Sequence, residues 1–276
     1  MWAELRQCCL LLIAAWSVVA CHARENNMRE ISFDLGSTVE QTLRSHEIPY
    51  AGQNINGLMI YSFTGFKEGS TYALFSRPGY EVRFGSIFGI DFYADLKRHP
   101  DQLVHLADIS MSSAAVQSHS QAQTGVQKLI AQFQRGKWKR YIPDTCPWVT
   151  GRSTMLNAAG QVDIGSCPLD PVLQFSTQEW SSVAAQKLHW QWIGDGRVAT
   201  LEVQYAYNKP DVPTYTVNLQ FELEEAMKFY RAKRRAEKNA DRSAQEVAAG
   251  AERMNVRLKA LEEAALKRGD QVIPRP

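Results

Sequence analysis

The clearest pattern in the chain is a two-residue alternation between Leu188 and Phe221. Leu188, Trp190 and Trp192 alternate with His189 and Gln191. After Gly194-Asp195-Gly196, Ala199, Leu201, Val203, Tyr205 and Tyr207 alternate with Thr200, Glu202, Gln204 and Ala206. Successive side chains of a strand point to opposite faces, so each run predicts a strand with one buried face, and Asp-Gly between such runs is a hairpin signal. Asn208 to Pro213 turns the chain again, and Tyr215, Val217, Leu219 and Phe221 predict a third strand. An antiparallel meander follows from this, packed on a core through one face.

Upstream, Ile31-Ser32-Phe33, Leu58 to Phe66, Thr71 to Phe75 and Tyr80 to Phe84 are rich in aromatic and β-branched residues and are separated by Gly and Pro, as strands are. The stretch from Phe88 to Ile109 is ambiguous: Pro100 interrupts it, and Asp101 to Ala107 fits either a helical turn or a strand. Ser37 with Glu40 has the spacing of a capping box and predicts a short helix over 37–45; Ser176 with Glu179 repeats that signature before Trp180 and Val183. Val126, Leu129, Ile130 and Phe133 recur at i, i+3, i+4 and i+7, one apolar stripe of a helix that Arg135-Gly136 would end.

The pattern changes at Leu223. Residues 223–268 hold no proline and only Gly250, and are rich in Ala, Glu, Lys and Arg. Two rows recur every seven residues, Ala226, Lys233, Ala240, Val247, Met254, Leu261 and Tyr230, Glu237, Ala244, Ala251, Leu258, Ala265. Acidic residues open the segment and Lys267-Arg268 close it before Gly269, in keeping with the helix dipole. A continuous charged helix over 223–268 is expected, a rod of roughly 70 Å. Three placements are open for it: solvated, paired in a coiled coil, or packed on its own domain. The chain thus divides into an apolar leader (1–20), a polar tether (21–30), a β-rich region (31–113), a helix (114–136), a meander region (137–222), the charged helix (223–268) and a tail (269–276). The expected fold class is α+β, an antiparallel β-meander with short helices plus a long C-terminal helix.

The leader changes the picture most. Arg6 precedes an apolar run from Cys8 to Val19 that ends at Val18-Val19-Ala20-Cys21. At about 12 residues the run is too short to span a bilayer, and the layout resembles a bacterial lipoprotein signal peptide with a lipobox-like end. That resemblance implies a mature chain beginning at Cys21, lipidated there, anchored to a membrane and facing the periplasm. Conventional cleavage after Ala23 is the alternative. Phe33-Asp34-Leu35-Gly36-Ser37-Thr38-Val39-Glu40 also resembles the small envelope lipoproteins of outer-membrane assembly, which share a Leu-Gly-x-Thr turn into a helix followed by a hairpin; their Gly-x-Pro after the helix is missing here.

Cysteine usage fits the same address. Of five cysteines, Cys8 and Cys9 lie in the leader and Cys21 would carry lipid, which leaves Cys146 and Cys167 as an even pair in an oxidising compartment. A bridge between them would close a Gly-rich loop; two separate buried thiols are the alternative. No His or further Cys stands at zinc-ligand spacing beside either one, so no metal and no cofactor are expected.

A net charge of +2 is too mild to argue for nucleic acid. The six histidines form no zinc-helix spacing, Gly151-Arg152-Ser153-Thr154 is not a nucleophile elbow, and no phosphate loop or dinucleotide fingerprint occurs, so no catalytic residue is assigned. One cluster stands out as a binding surface: Lys137, Trp138, Lys139, Arg140 and Tyr141 interleave charge with aromatics. It fits a patch for anionic lipid or glycan, and better an amphipathic strand with the basic residues outward and Trp138 inward. These readings lead to a non-enzymatic, membrane-anchored envelope protein that binds another protein, an assembly accessory or a toxin-immunity factor, with the 223–268 helix as a docking element. The alternative is a periplasmic hydrolase or glycan-active enzyme whose acids, with Asp91, Asp95, Asp163 and Asp170 as candidates, converge only in the fold.

Overall fold

Asp195 and Gly196 both adopt positive φ, 46° and 71°, the backbone that a two-residue type I′ turn demands and that Asp-Gly supplies at little cost. The turn joins β9 (Leu188–Gly194) to β10 (Arg197–Lys209), which pairs in turn with β11 (Val212–Leu223), so the meander read from the alternation is present. The computed structural model describes residues 29–44, 50–64, 66, 69–85, 87–112, 118–209 and 212–275. The leader, Cys21 and most of the tether lie outside the described residues.

The free edge of β11 pairs antiparallel with β7 (Val104–Ser112), Leu219 facing Ile109. β7 continues into β6 (Ile87–Asp95), β3 (Leu58–Thr64) and β2 (Ala51–Ile55). With β8 (Lys139–Arg140) beside β9, the two β-rich regions share one eight-stranded antiparallel sheet of order β2-β3-β6-β7-β11-β10-β9-β8. A second, three-stranded sheet holds β1 (Arg29–Phe33) parallel to β4 (Thr71–Phe75), with β5 (Val82–Gly85) antiparallel to β4. The outer edge of β5 is closed by a side chain: Gln132 Nε2 donates to the Arg83 carbonyl at 2.7 Å, and its Oε1 accepts from the Arg83 N–H at 2.9 Å.

The small sheet and two helices cover one face of the large sheet. Helix α2 (His119–Arg135) buries all four residues of the predicted stripe, Val126, Leu129, Ile130 and Phe133. Its cap is a reciprocal box between Ser118 and Gln121; the first residues of the expected 114–136 helix fall in 113–117, outside the described residues. Phe133 stacks on Trp192 with centroids 4.0 Å apart, and Phe221 stacks on Phe75 at 4.3 Å. Helix α3 (Thr177–Val183) starts at Ser176 as expected and buries Trp180 and Val183. Helix α1 (Val39–Arg44) corrects the expected cap by one residue: the reciprocal bonds join Thr38 and Gln41, not Ser37 and Glu40. Ser37 Oγ is engaged elsewhere, donating to the Asp34 carbonyl at 3.0 Å.

The C-terminal segment is not one rod. Helix α4 (Glu224–Lys238) ends at Asn239, and the long C-terminal helix α5 (Ala244–Lys267) begins afresh at Ser243, whose side chain and that of Glu246 form a full capping box. That box offers the chain a stop and a restart, and tertiary contacts use it. α5 then comes back onto its own domain: Leu258 and Ala265 are buried, Arg268 Nε donates to Ser153 Oγ at 3.0 Å, and Asp270 accepts from the Ser153 N–H at 2.9 Å. Beyond it, Val272 bridges to Val149, and the Ile273 N–H donates to the Trp148 carbonyl at 2.7 Å. Among the described residues no helix is long and apolar enough to cross a membrane.

Candidate functional site

Strand alternation that fills the core also fixes what the other face of the large sheet displays. Between buried Ile90 and Phe92 stands Asp91, and between buried Ala107 and Ile109 stands Asp108. The register sets Asp91 opposite Asp108, Asp108 opposite Gln220, and Gln220 opposite Thr200, a polar row across four strands. One row nearer the start of α4, Tyr93, Leu106 and Glu222 stand side by side. Helix α4 leaves β11 at this end, held by buried Ala226 and Met227, and encloses a cavity of about 490 Å³ against the sheet. Tyr93, Leu106, Asp108 and Glu222 come from the sheet, and Tyr230, Lys233 and Arg234 from the helix.

Its groups are electrostatically unequal. Burial opposes the charge of Asp95, yet hydrogen bonds from the Tyr230 hydroxyl and the N–H groups of Lys97 and Arg98 outweigh it and hold the carboxyl below its usual range. Burial and the bond to Asp95 together push the Tyr230 hydroxyl up to about 12. Asp108 is raised by burial and then by like charge on Asp91 and Glu202. Glu222 is raised by burial, which the attraction of Arg231 and Arg234 only partly offsets. His105 is 4% exposed, and its Nδ1 has no hydrogen-bond partner among the described residues. Burial pushes its imidazole down to about 4 despite the attraction of Asp95.

His105 sets an expected pH dependence. In the unfolded chain its ring takes a proton near 6.5, but in the fold only near 4, so between those values the unfolded state binds more protons. Its contribution to stability is therefore complete above pH 6.5 and is lost as pH falls toward 4, by about 3 kcal/mol at most. The groups acting on it are Asp95, Arg98 and His99, with the Tyr230 ring 5.7 Å away. Asp108 and Glu222 work with the opposite sign, favouring the fold at low pH and losing that contribution as pH rises through their raised values. Denaturant titrations of wild type and His105→Asn at pH 7 and pH 4.5 separate the two. Wild type should lose more stability than the variant between those pH values; equal losses would refute the assignment.

The structure spreads the 137–141 cluster over different environments. Trp138 is buried and donates through Nε1 to the Tyr80 carbonyl at 3.0 Å. Arg140 turns inward, donating to the Val149 carbonyl at 2.8 Å and lying 3.8 Å from the Asp170 carboxylate. Tyr141 accepts from Arg231 at 3.0 Å, which leaves Lys137 and Lys139 as the exposed members. Cys146 and Cys167 are bonded, with Cα atoms 5.6 Å apart, and their loop faces α5 across a second cavity of about 360 Å³. Of the four candidate acids, Asp91 lies on the outer row, Asp95 is engaged by Tyr230, Asp163 lines the second cavity, and Asp170 accepts from the Gly151 N–H at 2.7 Å. Among the described residues no group of three or more His, Cys, Asp or Glu is placed to hold a metal ion.

Sequence reasoning passed over Asp108, set His105 aside with the other histidines, and gave Glu222 and Tyr230 no place in a pocket. The alternation of Leu106 and Asp108 with Ala107 and Ile109 was a signal for the first two, hidden by the ambiguity of Phe88 to Ile109. Geometry thus defines an α+β domain with a polar pocket on the outer face of its sheet and a bridged loop clamped by its C-terminal helix. In comparison with known proteins, no family model, no curated protein and no solved structure matches the chain.

Proposed function

We propose that the chain is a non-enzymatic protein of the bacterial envelope, facing the periplasm and held at a membrane through lipid on Cys21. Its task is to recognise another protein, as an assembly accessory or as an immunity factor against a toxin. The observation that carries the address is the Cys146–Cys167 bridge, since structural disulfides persist in oxidising compartments and this one accompanies a lipoprotein-like start.

Recognition is supported by a sheet edge that nothing among the described residues covers. β2 is the outermost strand of the large sheet; all five of its residues are exposed, and none is charged or proline. The other edges are guarded: β5 by Gln132, β8 by being two residues long, and β1 by Arg29 and Glu30 at its start. Sheets ordinarily blunt such edges, and a bare one suits the addition of a strand from a partner. Pull-down with the intact protein from envelope extracts should recover a protein partner. Gln53→Lys together with Asn54→Lys should reduce that recovery at least tenfold while the bridge stays formed. Recovery of no partner by the wild type, or equal recovery by both, would refute the reading.

A further inference from the structure

The cavity under α4 has two electrical poles. Its floor carries the half-buried Asp108 on β7 and Glu222 on β11; neither carboxyl has a hydrogen bond or a close ion pair among the described residues, and Glu222 alone feels the attraction of Arg231 and Arg234. Asp91 faces Asp108 across the β6–β7 pair, so the sheet adds like charge at the floor rather than a counter-ion. A half-buried carboxylate gains from a counter-ion, and Asp108 has none among the described residues. His105, 4% exposed with Nδ1 unpartnered among the described residues, stands in the wall of the cavity. The other pole is the exposed rim, lined by Lys97 of the turn after β6 and by Lys233 and Arg234 of α4.

We propose that this cavity binds a small zwitterion, its protonated amine on Asp108 and Glu222 and its carboxylate or phosphate at Lys233 and Arg234. A simple cation would have to pass three cationic side chains at the rim, and a simple anion would meet the acids at the floor. Between the poles, Leu106 and the rings of Tyr93 and Tyr230 supply apolar wall for a short aliphatic linker. The volume, about 490 Å³, lies within the range of small-molecule sites. This site goes beyond the protein-recognition reading and does not rest on it, because strand addition uses the β2 edge.

Titration calorimetry on the intact protein tests the proposal with four probes: 6-aminohexanoate, phosphoethanolamine, hexylamine and hexanoate. At least one zwitterion should bind ten times more tightly than either monopole. Asp108→Asn with Glu222→Gln should remove that advantage. Should this double variant fail to fold, Lys233→Ser with Arg234→Ser, on an exposed helix face, should weaken zwitterion binding tenfold without weakening hexylamine. Phosphatidylethanolamine vesicles against phosphatidylglycerol vesicles distinguish a lipid headgroup from a free ligand as the source, and either preference must vanish with the floor variant. No zwitterion bound at millimolar concentration, monopoles bound equally well, or binding that survives the floor variant would each overturn the site.

Discussion

Phe221→Ala is expected to cost about 3 to 5 kcal/mol, a large share of the total stability of an ordinary domain. Phe221 is fully buried at the point where β11 meets both the small sheet and α2. It stacks on Phe75 at 4.3 Å and has Phe33 at 5.8 Å and Trp138 at 6.0 Å. These neighbours come from β1, β4 and the segment after α2, so no single element can move in to fill the void. Phe133 is held by its own stack on Trp192 and cannot follow. Chemical denaturation should show a lower midpoint with an unchanged denaturant slope. Phe88→Ala supplies the contrast: it removes the same ring from β6, but at a position 59% exposed, and should change stability by less than about 0.5 kcal/mol. A loss under about 1 kcal/mol at Phe221 would mean that the two sheets do not share this core.

What the sequence made legible was local. Asp195-Gly196 set a turn and its flanking alternation set two strands, because both signals act within a few residues. The stripe Val126 to Phe133 became α2 for the same reason. The Cys146–Cys167 pair followed from counting. Another local signal was present and passed over: Asn56 and Gly57 both take positive φ and turn β2 into β3, the backbone that Asn-Gly favours. The helix break at 239–243 shows competition between signals of similar strength. Asn, Ala, Asp and Arg all tolerate a helix, so only the box from Ser243 to Glu246 marked a restart. At α1, two overlapping boxes differ by one residue, and the contact of Ser37 with Asp34 and Thr42 decides between them.

What remained illegible was long-range. Nothing near Ile109 announces that it will face Leu219, and nothing near Ile31 announces a parallel partner in Ala73. The pocket depends on exactly such pairings. Asp108 reaches Gln220 only through the β7–β11 junction, and Tyr230 reaches Asp95 only because α4 turns back over the sheet. A site assembled from four elements by register has no signature at fixed spacing, which is why motif searches on this chain find nothing while the fold still gathers acids, a buried imidazole and cations around one cavity.

Opening the Cys146–Cys167 bridge is expected to cost about 3 kcal/mol, the chain-entropy value for a loop of this size. The two cysteines are 21 positions apart, with Cα atoms 5.6 Å apart, inside the span that a disulfide accepts. The loop they close is also the platform for the C-terminal segment. Trp148 N–H donates to Glu262 at 3.1 Å, the Thr150 N–H donates to the Gln271 carbonyl at 2.9 Å, and Ser153 joins Arg268 to Asp270. Loosening the loop should therefore loosen α5, while β9 to β11 keep their own pairing. Hydrogen exchange on Cys146→Ser should show faster exchange at 148–157 and 258–273 together, with little change at 188–205. Because either substitution removes the whole bond, Cys146→Ser, Cys167→Ser and the double variant should lose the same stability within about 0.5 kcal/mol. Peptide mapping after thiol labelling of denatured, unreduced protein should find neither cysteine modified. Labelling at both positions, or single-variant losses that add up in the double variant, would show that the bond does not form and would remove the oxidising-compartment argument with it.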